Sequence, residues 1–122
     1  MVKNKSINES SHISELAVYG IQEKKGNDII RLDLRNIHSS VADYFVICTA
    51  DSDVQVKAIA DAIMEGSKKE GERPWHKEGL THKTWVLLDY VEVVVHIFLR
   101  ETRSFYSLEK LWGDAEITEI KD

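Results

Sequence analysis

Apolar positions along the chain fall into stretches of two periods. The longest run, Thr84 to Arg100 (TWVLLDYVEVVVHIFLR), is interrupted only by Asp89, Tyr90 and Glu92 at its middle and by His96 near its end. β-Branched residues dominate it, which favours strand over helix. It reads as two short antiparallel strands joined by a tight turn at about Tyr90 to Glu92. Both halves are apolar on both faces, the pattern of strands in the middle of a sheet covered by helices.

The rest of the chain alternates helical and strand periods. Residues 1–10 are polar and read as a flexible terminus. Ile13, Leu16, Ala17, Gly20 and Ile21 recur at helical spacing, predicting a helix from Ser11 to Lys24 with Ser10 or Ser11 as N-cap and Gly26 as the stop. Asp28 to Leu34 alternates like a half-buried strand near a sheet edge, Arg35 to Ala42 is a loop, and Tyr44 to Thr49 is a central strand. Ser52 to Glu70 is the clearest helix: Ser52 and Gln55 form a capping box, Val56, Ile59, Ala60 and Ile63 make the buried stripe, Lys57 and Asp61 pair on the wet side, and Gly71 closes it. Pro74 limits Arg73 to Lys77 to an edge strand or a loop, and Gly79 to Lys83 is a polar turn. Thr102 caps a last helix with Phe105, Leu108, Leu111 and Trp112 on its apolar side and Gly113 at its end.

This order predicts a single α/β domain with a mixed four- to five-stranded sheet flanked by helices. The unit from Tyr44 to Trp75 is a candidate parallel β-α-β crossover. The expected boundaries are a flexible N-terminus over 1–10, the domain over 11–115 and a loose acidic tail over 116–122.

Composition narrows the partners. At 122 residues the chain holds one domain and is too short for two full ones. Lys and Arg number 16 and Asp and Glu 21, so the formal charge is 16 − 21 = −5, which disfavours direct reading of nucleic acid and favours a basic protein partner. Cys48, the single cysteine, lies in an apolar run and reads as a buried, inert thiol of a reducing compartment. The N-terminus lacks the apolar segment of a secretory signal. The run at 86–98 is shorter than the roughly 20 residues of a membrane span and carries Asp89, Glu92 and His96. A cytoplasmic protein with no membrane contact is expected.

Candidate chemistry is sparse. His12, His38, His76, His82 and His96 show no metal-ligand spacing, and no phosphate-loop, dinucleotide or nucleophile-elbow motif occurs, so no metal, no cofactor and no enzyme are expected. His96 inside an apolar strand reads as a satisfied core histidine. Asp51 and Asp53 spell D-x-D but stand at a helix start, where the dipole favours carboxylates. Asp89 and Glu92 bracket the turn, either as solvated turn residues or as a docking point for a basic partner. Trp75, Trp85, Tyr90, Tyr106 and Trp112 are many aromatics for a small domain, and they suit an interface as well as a core.

Taken together, Asp43-Tyr44-Phe45-Val46-Ile47-Cys48-Thr49, Ser52, Gln55-Val56 and Ile59-Ala60-Asp61 resemble the ribosomal silencing factor family, also called Iojap. The resemblance continues through Gly71, Pro74, Glu78-Gly79, Trp85 to Tyr90 and Val93 to Phe98, and ends in Arg103, Phe105-Tyr106, Leu108-Glu109, Leu111-Trp112 and Asp114-Ala115.

The resemblance implies a nucleotidyltransferase-like fold without a transferase site. It implies binding to the large ribosomal subunit through the large-subunit ribosomal protein numbered fourteen, steric blocking of small-subunit joining, and repression of translation when nutrients are scarce. It also implies a homodimer in the free state. The expected partner-binding residues are Trp85, Asp89, Tyr90, Val91 and Glu92, with Tyr106 and Lys110 secondary. Trp85 and Tyr90 are expected as apolar anchors, Asp89 and Glu92 as partners of basic side chains, and Trp112 as core. One departure stands at the turn: where the family reads Asp-Tyr-Gly-Asp-Val, this chain has Asp89-Tyr90-Val91-Glu92-Val93. Valine is costly at positive φ, so a different turn geometry is expected. The alternative is a nucleotidyltransferase-like enzyme using Asp51, Asp53 and Asp89.

Overall fold

The structure, a computed structural model, describes residues 7–37, 40, 42–103 and 115–121. Helix α1 (Ile7–Glu23) begins inside the stretch expected to be flexible. Its left-handed terminal residue is Lys25, at φ +61°, not Gly26. The Gly26 and Lys25 N–H groups return to the carbonyls of Ile21 at 2.9 Å and Gln22 at 3.0 Å. Gly26 serves close approach instead: a Cβ there would collide with the Ile21 side chain.

Six strands follow: β1 (Asn27–Asp33), β2 (Tyr44–Ala50), β3 (His76–Glu78), β4 (Trp85–Asp89), β5 (Val93–Leu99) and β6 (Glu116–Ile120). Helix α2 (Asp53–Lys69) lies between β2 and β3, and α3 (Arg100–Arg103) follows β5. The sheet order is β3-β4-β5-β2-β1-β6. Among the described residues only β2 and β5 pair in parallel, with Tyr44 opposite Val93 and Ala50 opposite Leu99. The parallel partner of β2 is therefore β5, not the segment around Trp75. The two strands buried on both sides pair at the centre, while the short, exposed HKE segment is left as an edge.

Two further expectations change. Glu116–Ile120 is not a loose tail; it pairs antiparallel with β1 from Asp33↔Glu116 to Ile29↔Ile120. That makes six strands instead of four or five and moves β1 off the edge. The expected helix through Phe105, Leu108, Leu111 and Trp112 lies outside the described residues, and Thr102, expected as its cap, lies inside Arg100–Arg103.

The sheet has two unlike faces. Ile13, Ala17 and Ile21 of α1 and Val56, Ile59, Ala60 and Ile63 of α2 pack on Val46, Cys48, Val86, Leu88, Val95 and Ile97. Each fully buried aliphatic side chain there contributes on the order of 2 kcal/mol. The opposite face carries Ile30, Leu32, Leu34, Ile47 and Phe98, with Ile37, Phe45, Trp85 and Ala115 packed against them. Burial pushes the Cys48 thiol up to about 12, so it stays protonated and inert.

The start of α2 locks the two helices together. Ser52 Oγ accepts the Gln55 N–H at 3.1 Å, as the capping pattern requires. Gln55 Oε1 reaches the Asp51 N–H at 2.7 Å, one residue before the cap. Gln55 Nε2 donates to the Lys24 and Lys25 carbonyls, both at 3.0 Å, tying the end of α1 to the start of α2. At the other end Gly71, at φ +80°, supplies the expected stop.

Candidate docking face

Strand β4 is positioned by the turn that precedes it. Gly79 sits at φ +84° against the Trp85 carbonyl, and its own carbonyl accepts the Lys83 N–H at 2.9 Å. From Trp85 onward the strand alternates: Val86 and Leu88 are buried toward the helices, while Trp85, Leu87 and Asp89 are half-buried on the other side. The period of two therefore places the expected anchor Trp85 and the expected acid Asp89 on one face.

The β4–β5 connection is a tight turn. The Tyr90 N–H donates to the Val93 carbonyl at 2.8 Å, and the Glu92 N–H donates to the Tyr90 carbonyl at 3.0 Å. The second bond spans one residue, Val91, in the manner of a γ-turn. Val91 stands at φ +76°. The turn thus keeps the backbone that glycine would favour, contrary to the expectation that valine forces another geometry. The compensation is local: Asp89 Oδ1 accepts the Val91 N–H at 2.7 Å. The Glu92 carbonyl also accepts N–H groups from Asp43 at 2.7 Å and Tyr44 at 3.1 Å, clamping the turn to the start of β2. Asp89 and Glu92 are half-buried, and Val91 is 48% exposed.

Tyr90 is placed differently from expectation. Its side chain is only 3% exposed, and its hydroxyl lies 2.8 Å from the Ser67 hydroxyl of α2. Burial raises its pKa, and the Ser67 bond partly opposes that rise. A buried ring cannot be a direct apolar anchor, so Tyr90 fixes the turn to α2 instead. Tyr106 and Lys110 lie outside the described residues.

Trp85 is held on two sides. Its ring stacks on Phe98, the residue opposite it on β5, with centroids 4.9 Å apart. Its Nε1–H donates to His96 Nδ1 at 3.1 Å. His96 also meets the Phe45 ring edge-on at 4.8 Å. His96 is 4% exposed, and burial pushes its pKa down to about 4, so it is neutral near pH 7. A proton acceptor at Nδ1 puts the single ring proton on Nε2. His96 is thus buried, as the sequence implies, but tied to Trp85. The signal for that tie is the period of two on both arms of the hairpin, which places positions 85, 96 and 98 on one face.

Trp75 is the surface residue whose position the sequence left open. Its N–H donates to the Asp89 carbonyl at 2.7 Å, so it abuts the turn, and it is 71% exposed. No sequence signal specifies that placement, because it depends on β3 pairing with β4.

The carboxylates of the alternative enzyme do not converge. Asp51 follows the last residue of β2, whereas Asp89 pairs with Val94, which lies opposite Phe45 near the first residue of β2. About five residues of strand, roughly 17 Å, separate the two ends. Asp51 is also engaged, accepting from Arg100 Nε at 2.7 Å and Asn27 Nδ2 at 3.1 Å. Asp53 opens α2. Among the described residues no three His, Cys, Asp or Glu side chains are grouped to hold a metal ion. Among them also, no helix is long and apolar enough to cross a membrane.

The geometry defines a one-domain α/β protein on a mixed six-stranded sheet, with α1 and α2 on one face and the aromatic side chains of β4 and β5 on the other. The family model described as ribosomal silencing factor during starvation matches residues 7–122. Ribosomal silencing factor RsfS of Bacillus subtilis is 44% identical over 108 residues, 88% of this chain and 91% of that protein. The chloroplastic Iojap protein of Zea mays is 41% identical over 80 residues, 63% of this chain but 33% of its own length. A crystal structure of a Chromobacterium violaceum protein superposes with a TM-score of 0.81 at 35% identity, covering 93% of this chain and 94% of that one. The chain belongs to the ribosomal silencing factor family.

Proposed function

We propose that this chain docks on the large ribosomal subunit through the β4–β5 hairpin, sterically blocks joining of the small subunit, and so represses translation when nutrients are limiting. The contact is the large-subunit ribosomal protein numbered fourteen. The observation that carries the docking site is the placement of Trp85 and Asp89 on the same half-buried face of β4, the face away from α1 and α2. An aromatic and a carboxylate on one strand face suit a basic protein surface: the ring supplies buried area, and the acid supplies steering that weakens with salt. The net charge of −5 favours the same partner. Val91 and Glu92 complete the contact at the turn, and Tyr90 supports it from the core. Tyr106 and Lys110 are assigned to its periphery on the resemblance alone, and a homodimer is the free form.

In this role the protein is not an enzyme and needs no cofactor. The separation of Asp51 from Asp89 supports that assignment. The test is co-sedimentation with purified large subunits. Trp85→Ala is expected to weaken binding by about thirtyfold, the cost of truncating a central anchor. Unchanged binding removes the hairpin as the site. Saturable binding of ATP and magnesium by calorimetry, abolished by Asp53→Ala, would favour the enzyme instead.

A further inference from the structure

We propose that His96 is a positioning residue for docking: through Nδ1 it holds the Trp85 indole in the orientation that meets the partner. The inference rests on the docking role proposed above for Trp85. It starts from a mismatch between His96 and its surroundings. The side chain is almost fully buried among Phe45, Trp85 and Phe98, a site that a phenylalanine could fill. Its Nε2 is buried with no hydrogen-bond partner among the described residues. A buried donor without a partner opposes folding, and an apolar ring of similar size would avoid that cost. What histidine supplies and phenylalanine lacks is the acceptor at Nδ1, which takes the Trp85 Nε1–H at 3.1 Å.

Two of the contacts of Trp85 do different things. Stacking on Phe98, at an interplanar angle of 28°, restrains the plane of the indole. It does not distinguish the ring from its flipped rotamer. The bond to His96 does, because only one rotamer directs Nε1–H at Nδ1. His96 can serve as a fixed reference because β5 is paired on both sides, with Leu87 of β4 and Ile47 of β2 directly opposite this residue. A half-buried tryptophan fixed before contact loses less side-chain entropy on binding than a mobile one.

Substitutions at both ends of the bond test this. His96→Phe removes the acceptor and keeps a ring; His96→Asn places its amide oxygen where Nδ1 stood; Trp85→Phe removes the donor and keeps a stacking ring. Co-sedimentation with large subunits gives affinity, and exchange of the Trp85 indole N–H, followed by NMR, reports the bond in the free protein. The expected result is about tenfold weaker binding and faster indole exchange for His96→Phe, with both largely restored by His96→Asn. In the Trp85→Phe background, His96→Phe is expected to change binding less than twofold, because the bond is already absent. Wild-type binding by His96→Phe, alongside strong loss by Trp85→Ala, overturns the positioning role and leaves the docking site standing. An equal loss from His96→Phe with and without the indole N–H also overturns it, since the effect would then be general packing. Unchanged binding by Trp85→Ala overturns both.

Discussion

Asp89 Oδ1 accepts the Val91 N–H at 2.7 Å, and Val91 itself stands at φ +76°. A carboxylate thus braces a β-branched residue in a backbone conformation that costs about 1–3 kcal/mol. Val91→Gly is expected to raise stability by about 1 kcal/mol, since relief of strain exceeds the entropy glycine adds to the unfolded chain. Asp89→Ala should cost about 1 kcal/mol with valine in place and less with glycine, because the brace then has less strain to oppose. Urea denaturation of the two single variants and the double variant measures both effects. Stability lost in Val91→Gly would show that the turn is not strained.

The Tyr90 hydroxyl joins the β4–β5 turn to α2 through Ser67 at 2.8 Å. Tyr90→Phe deletes that bond and leaves the ring volume. Ser67 Oγ keeps a second partner, the Met64 carbonyl at 3.1 Å, so it is not stranded. A loss of about 1 kcal/mol is expected in denaturant unfolding, with large-subunit binding unchanged in the folded variant. Weakened binding at full stability would return Tyr90 to the surface role suggested by its place in the sequence.

Much of this architecture is written locally. Ser52 and Gln55 declare the start of α2, and the apolar alternation around Asp89 to Glu92 declares the hairpin. What depends on distant pairing is not visible in any window. The segment Glu116–Ile120 reads as a tail because it is short and acidic, and pairing with β1 beside it makes it a strand. The parallel pairing of β2 with β5 skips over α2, β3 and β4, a choice made by the whole sheet. Within β4 the alternation puts Trp85 and Asp89 on one face. It does not separate Tyr90 from them, because the residue after a strand can turn toward either face. Val91 could be identified as a misfit residue, but not as one that accepts the strain.

Gly79 sets the position of Trp85. At φ +84°, with its Cα against the Trp85 carbonyl, it has no room for a side chain. Gly79→Ala adds backbone strain and a collision with backbone atoms, which cannot rotate away. A loss of about 3 kcal/mol is expected. Because the collision falls on Trp85 itself, large-subunit binding should weaken even where the variant remains folded. Thermal unfolding together with co-sedimentation checks this, and a neutral Gly79→Ala would mean that the turn relaxes freely.

His96 makes the fold sensitive to acid. Burial pushes its pKa down to about 4, below the ordinary value of 6.5. As pH falls, the unfolded chain therefore takes up the proton first and is stabilised relative to the fold. The contribution of neutral His96 is complete above about pH 6.5 and is lost as pH falls toward and through 4. The difference between the two values corresponds to about 3 kcal/mol. Desolvation is the only cause of the shift, and the rings around His96 carry no charge to oppose it. Protonation also turns Nδ1 into a donor facing the Trp85 N–H, so the indole bond and the stability should be lost together. Urea midpoints for wild type and His96→Asn between pH 7 and pH 4 measure the effect. The wild type should lose stability steeply across this window and His96→Asn much less, its amide being uncharged throughout. Parallel slopes would assign the acid sensitivity to other groups.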